Sequence, residues 1–337
     1  MTNNMTSRLP IIDLHCDLLV YLSDVPGATI DNIAEIGCAL PALTEGNVKL
    51  QVMAIYCPTE PGSSHYSYLQ SQVFQKLVQE QAHCLNAVAD TASLQHALEN
   101  QQGIGMVAAI ENAAGFCEED DHLDAGFKKL EKIIENVGRL LYISFTHHTA
   151  NRFGGGNATD MGITSDGRVL LEYLHDRRIA VDLSHTSDTL AHDILNHIDA
   201  AGLNIPIIAS HSNFRSVWKH ERNLPDELVQ EVIRREGLIG INFLRAFLNT
   251  EDPEALAHHI KYGFAHGAED TIAFGADYFY TLSNTDPSRV PFYFKEHEQA
   301  GSSYTTLLNR LTQELSDEQL QKLAYKNAQR FIQKLWS

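Results

Sequence analysis

His15 and Asp17 close the apolar run Ile11-Ile12-Asp13-Leu14 near the start of the chain, and an imidazole and a carboxylate two residues apart can together hold a divalent cation. Side chains alternate along a strand, so both are expected to point the same way at the strand's C-terminal end. Such a triplet also arises by chance, in which case the His is a solvated or hydrogen-bonded strand end. The signature recurs, however. Glu111 follows the apolar run 104–110, His147 the run 140–145, His185 the run 179–183, His211 the run 205–209 and Asp277 the run 271–274. Nitrogen and oxygen donors of these types suit zinc, and they outnumber what one catalytic zinc needs, so two metals are expected. Glu111 follows Val107-Ala108-Ala109-Ile110, where an unpaired carboxylate is costly; a bridging place between two cations accounts for it.

Positions spread from 15 to 277 need a fold that gathers strand ends. Apolar, β-branched runs recur at 11–14, 50–57, 104–110, 140–145, 179–183, 205–209, 238–243 and 271–274. Segments of helical spacing lie between most of them, at 71–89, 127–137, 169–177, 190–200, 227–235 and 253–266. Strands alternating with helices give a parallel sheet, and eight units over about 250 residues match a (β/α)8 TIM barrel, whose C-terminal strand ends share one face. A doubly wound open sheet, the rival, would gather these residues less well. Two helical segments, 304–315 and 317–335, the second N-capped by Ser316, read as a C-terminal helical extension. A single domain is expected over 1–337, with a tail at 1–10, the barrel at 11–280, and a pocket-side loop and C-terminal helices at 281–337. Segments 58–68, 149–165 and 278–302 read as loops too long to be mere connections.

The 337 residues carry 43 acidic against 25 basic side chains, a formal charge of -18, which argues against a nucleic-acid partner and for small substrates or cations. Five Cys, odd in number and without a Cys-x-x-Cys pair, argue against a disulfide framework or zinc knot and suit a reducing compartment, so a cytoplasmic protein is expected. Residues 1–8 are polar with no apolar signal core, and no run approaches the length of a transmembrane segment. Cys16, between two ligand-type residues, is expected to point away from them by alternation.

Taken together, His15-x-Asp17, Ile110-Glu111, Thr146-His147, Asp182-Leu183-Ser184-His185, Ser210-His211-Ser212, Arg222-Asn223-Leu224-Pro225-Asp226 and Phe274-Gly275-Ala276-Asp277 resemble the membrane (renal) dipeptidase family of the amidohydrolase superfamily, from about Ile11 to Phe331. The resemblance implies a binuclear zinc site in the barrel, with His15 and Asp17 on one Zn2+, His185 and His211 on the other, and Glu111 bridging. The chain departs from the family pattern at Tyr278-Phe279-Tyr280 and Leu244, near the pocket rim, which bears on substrate rather than metal.

The expected activity is hydrolysis of short peptides, dipeptides including those with a C-terminal D-residue, by a hydroxide shared between the cations. Asp277 is the candidate general acid/base, and His147 the donor to the developing oxyanion. Arg222, a planar fork suited to carboxylates, is the candidate for binding the peptide's free carboxylate. The alternatives are another amide or lactone hydrolase of the superfamily and a non-hydrolytic biosynthetic relative. Analogy at the level of fold suggests a homodimer.

Overall fold

The computed structural model describes residues 9–100, 103–284 and 286–337. Among these described residues there are nine strands: β1 (Ile11–Cys16), β2 (Val48–Tyr56), β3 (Leu85–Ala87), β4 (Ile104–Glu111), β5 (Leu140–Ser144), β6 (Ala180–Asp182), β7 (Ile207–Ala209), β8 (Leu238–Ile241) and β9 (Ile272–Phe274). Every pairing is parallel, and neighbours run β1-β2-β4-β5-β6-β7-β8-β9 and back to β1, so eight strands close a barrel. Parallel neighbours need crossovers, and surrounding helices such as Ser63–Glu80, Leu123–Val137, Ser165–Leu174 and Asp188–Ala201 supply them. The (β/α)8 barrel read from the alternating pattern is therefore the fold.

The largest local departure falls where one helix was expected over 71–89. The helix instead spans Ser63–Glu80, after a Pro61-Gly62 corner in which Gly62 takes φ 98°. β3 and a further helix, Thr91–Glu99, follow. Residues 85–87 are extended because β4 offers them partners: Val88 N donates to Met106 O at 2.8 Å and Ile104 N to Cys84 O at 2.9 Å. β3 covers the start of β4, below the level where β5 pairs with Ala108 and Ile110.

The expected loops 58–68 and 278–302 are likewise shorter, since helices begin at Ser63 and Ala300. The C-terminal extension comprises Ala300–Leu311, Asp317–Gln321, a π turn at Lys322–Lys326 and Asn327–Trp336. Ser316 caps it reciprocally with Gln319. The tail expected at 1–10 lies, apart from Leu9 and Pro10, outside the described residues. All five cysteines are free. Among the described residues no helix is long and apolar enough to cross a membrane.

The lumen is filled, not open. Ile12, Val52, Val107, Leu141, Ile208 and Leu238 belong to one buried cluster with contributions from every barrel strand and from Phe331, Ile332 and Trp336. Arg139, just before β5, stacks on Trp336 at 5.2 Å, which puts the last helix at the N-terminal end of the barrel. The ligand-type residues therefore sit at the opposite, C-terminal face.

β1 carries a bulge that matters for them. From Asp13 to Cys16 it takes three steps against two on β2, Gln51 to Met53. Leu14 belongs to the lumenal cluster, but Cys16, of the same parity, packs in the outer cluster beneath the helices. The extra residue turns His15 inward and Cys16 away, as bulges near functional sites commonly do.

Two glycines narrow the barrel just below the site. A Cβ on Gly240 or Gly275 would come within 1.9 or 2.0 Å of the Ser210 carbonyl oxygen, a backbone atom that cannot swing aside. Gly275→Ala is expected to lower stability by roughly 2–3 kcal/mol, read as a fall in the urea midpoint at constant m-value.

Candidate active site

Six ligand-type side chains from five strand ends converge. His15 Nε2 lies 3.5 Å from Glu111 Oε2, 3.7 Å from Asp277 Oδ1 and 3.8 Å from Asp17 Oδ1. The other oxygen of the same carboxylate, Glu111 Oε1, lies 2.8 Å from His185 Nε2 and 3.4 Å from His211 Nε2. Glu111 therefore turns one oxygen to His15 and the other to His185 and His211. His15, Glu111 and His211 are buried, as is Asp277. His185 and Asp277 both hold left-handed backbone, φ 67° and 63°, which non-glycine residues adopt at a cost that the surrounding structure must sustain.

The hydrogen-bond network fixes which imidazole nitrogens carry lone pairs. Tyr142 has one hydroxyl proton and gives it to Leu14 O at 3.0 Å, so it accepts from His15 Nδ1 at 2.7 Å. His15 Nε2 is then the lone-pair nitrogen, and it is buried without a hydrogen-bond partner, as is Asp17 Oδ1. The same logic holds for His211. Ser210 Oγ donates to Asp182 Oδ2 at 2.7 Å and accepts from His211 Nδ1 at 2.7 Å. Asp182 is held in turn by Ser144 Oγ and by the Ser184 and Ser210 amides. His211 Nε2 therefore points a lone pair at Glu111 and at His185 Nε2, 2.8 Å away. Acceptors face acceptors across a buried gap, an arrangement that calls for cations.

The carboxylates draw positive charge to the centre, which either a proton on His15 Nε2 or a cation facing its lone pair can supply. Burial opposes a proton on His15, but Glu111, Asp277 and Asp17 outweigh it and push the imidazole up to about 10. Burial would raise Glu111, yet the charge of His15, with the close approach of His15, His185 and His211, holds it well below the usual carboxylate range. Asp17 is raised by burial and by Glu111. Burial pushes Asp277 up to about 6 against the pull of His15. His185 and His211 are driven down, chiefly by burial, and stay neutral as ligands must be. Donor groups of metal-binding size occur at His15, Glu111 and His211, and at His15, Asp17 and Asp277.

A cavity of about 560 Å3 opens over this centre, lined by Asp17, Tyr56, Glu111, His147, His185 and Asp277 among others. His147 stands on its wall with Nε2 3.9 Å from Glu111 Oε1, its pKa lowered to about 3 by burial. Arg222 does not line the cavity; 4 % exposed, it stands behind His185 with Nη2 3.2 Å from both His185 Nε2 and His211 O. Several residues escaped the sequence reading. Tyr142, within β5, and Asn242, just after β8, whose Nδ2 donates to Asp277 Oδ2 at 2.8 Å, orient other side chains. His148 lines the same wall, its ring 4.0 Å from that of His147 and 5.0 Å from that of His185. The doubled His147-His148 was the one available signal for it.

Known proteins are similar to this chain in sequence and fold. The family model for membrane dipeptidase, peptidase family M19, matches residues 1–335. The dipeptidase AclJ of Aspergillus oryzae is 23% identical over 303 residues, covering 81% of this chain and 67% of its own length. An uncharacterised dipeptidase of Schizosaccharomyces pombe is 24% identical over 326 residues, 89% of this chain and 78% of its own. Among solved structures, a Rhodobacter sphaeroides metallopeptidase holding a phosphinate mimic of the dipeptide L-Ala-D-Ala superimposes with a TM-score of 0.81 at 18% identity, covering 97% of this chain and 99% of that one. Matched over nearly its whole length, with a closed barrel and buried His, Asp and Glu donors at its mouth, the chain belongs to the membrane dipeptidase family, peptidase family M19, and is a metal-dependent hydrolase.

Proposed function

We propose that the protein is a binuclear, zinc-dependent dipeptidase, with one zinc on His15 and Asp17, the second on His185 and His211, and Glu111 bridging. The observation that carries this reading is the division of Glu111, Oε2 toward His15 and Oε1 toward His185 and His211. Cations bound there supply Lewis acidity, lowering the pKa of water and polarising the scissile carbonyl. The rest falls to the chain's own side chains. Asp277 takes the proton of the attacking water and returns it to the departing amine; with Oδ2 held by Asn242, its Oδ1 faces the centre for both steps. His147, neutral on the cavity wall, donates to the developing oxyanion.

Arg222 binds the peptide's C-terminal carboxylate. Among the described residues its Nη atoms meet only a hydroxyl, an imidazole and a carbonyl, and its Nε has no partner. A buried cation with no carboxylate in direct contact is costly, and the substrate supplies that contact. The substrates are dipeptides, including those with a D-residue at the C-terminal position, as the L-Ala-D-Ala mimic in the Rhodobacter relative suggests.

The test is metal analysis combined with a dipeptide panel, free and C-terminally amidated, before and after chelation. Expected are about two zinc per chain, activity lost on chelation and restored by zinc, and no cleavage of amidated peptides. Bound metal without dipeptide cleavage would overturn the substrate, and absence of metal affinity would overturn the whole reading. Tyr142→Phe removes the acceptor that orients His15, and is expected to weaken metal affinity about 10–100-fold, measured by competition with a chelator.

A further inference from the structure

The cavity over the donor cluster is lined on its charged side by Asp17, Asp24, Glu111 and Asp277, and by a single Lys or Arg among the described residues, Arg289. A lone cation at such a mouth is unexpected in a chain of formal charge -18. Arg289 closes the short 3-10 turn Pro287–Arg289, and its guanidinium lies 5.4 Å over the Phe292 ring. No described carboxylate pairs with it, whereas Arg152, Arg215 and Arg235 each hold one. The ring beneath leaves its N–H edge available.

His148 links this cation to the carboxylate receptor. Its Nδ1 is tied to Asn157 Oδ1 at 3.0 Å, so the ring is fixed. Its ring is 5.0 Å from that of His185, against which Arg222 is packed. The charges of both Arg222 and Arg289 act on His148 and, with burial as the larger cause, keep it neutral. The cavity wall therefore carries His185, with Arg222 behind it, His148 and Arg289. For a dipeptide whose main-chain carboxylate is directed toward Arg222, Arg289 is the one Lys or Arg among the described lining residues left to meet a second carboxylate.

Resting on the dipeptidase reading, we propose that Arg289, with His148 beside it, receives a carboxylate on the side chain of the substrate's C-terminal residue, so that dipeptides ending in Glu or Asp are preferred over their neutral amide isosteres. Arg289 is a specificity residue, not a catalytic one. Its charge neutralises the substrate's second carboxylate, which would otherwise meet Asp24 and the strongly acidic protein.

The experiment compares kcat/KM for Ala-Glu and Ala-Gln, in L,L and L,D forms, with the zinc-loaded protein and its Arg289→Gln and Arg289→Glu variants. The wild type is expected to favour Ala-Glu at low salt, with the preference shrinking as salt rises. The Glu-to-Gln ratio is expected to fall at least about fivefold in Arg289→Gln, mainly through KM, and to invert in Arg289→Glu, with Ala-Lys gaining. Wild-type cleavage of both peptides without preference would overturn the inference while leaving the dipeptidase intact. Equal losses on both peptides in Arg289→Gln would also overturn it, by placing the main-chain carboxylate at Arg289. If neither these nor any other dipeptide is cleaved, the dipeptidase reading fails and this inference with it.

Discussion

Glu111→Gln is expected to empty the centre and abolish activity. The substitution keeps the volume of the side chain, so β4 and the surrounding packing are retained. It removes the one carboxylate that faces both donor groups and puts an amide NH2 where a lone pair stood, against His15 on one side or His185 and His211 on the other. Zinc content is expected to fall from about two per chain toward zero, and kcat/KM by on the order of 10^3-fold or more, roughly 4 kcal/mol of transition-state stabilisation. Elemental analysis alongside kinetics and far-UV circular dichroism makes the check. A folded variant with wild-type zinc would refute the bridging role.

Asp277→Asn separates chemistry from metal binding. Asn242 Nδ2 donates to Asp277 Oδ2 at 2.8 Å, so the new amide keeps its oxygen on Asn242 and turns its NH2 toward the centre. An NH2 group cannot accept the proton of the attacking water. We expect kcat to fall by about 10^2–10^4-fold, with zinc content near that of the wild type and KM little changed. Asp277 Oδ1 also lies in a donor group with His15 and Asp17. Loss of one zinc in the variant would therefore make Asp277 a ligand and remove it from the acid/base role.

The pattern of strand ends was legible because a parallel barrel turns sequence position into place. Glu111, His185, His211 and Asp277 follow different strands, yet each sits where β4, β6, β7 or β9 delivers its end to the common face. His15 reached that face by another route. Simple alternation put it beside Asp17 on one side of β1, but the strand places Leu14 in the lumen and needs an extra residue before Cys16. Nothing local encodes that bulge; it follows from pairing with β2. β3 was hidden for a similar reason, since residues 85–87 are extended only because β4 has an uncovered edge beside them. Tyr142, Asn242 and Asp182 looked like ordinary strand residues, and their orienting roles depend on partners 35 to 128 positions away or, for Asp182, on Ser210 28 positions on. Arg222 was found as a residue type suited to carboxylates, but its position behind His185 required the fold.

The filled lumen has a kinetic consequence. With apolar side chains from every barrel strand below the centre, the Ser210 carbonyl wedged against Gly240 and Gly275, and Trp336 at the far end, the site is a blind alley with one mouth. Both amino acids released by a dipeptidase must leave by the way the substrate arrived, and the fragment lodged at the inner wall waits for the outer one to clear. Turnover at high product concentration is then expected to be governed by traffic, with a free amino acid lodged at the inner wall acting as the enzyme's own competitive brake.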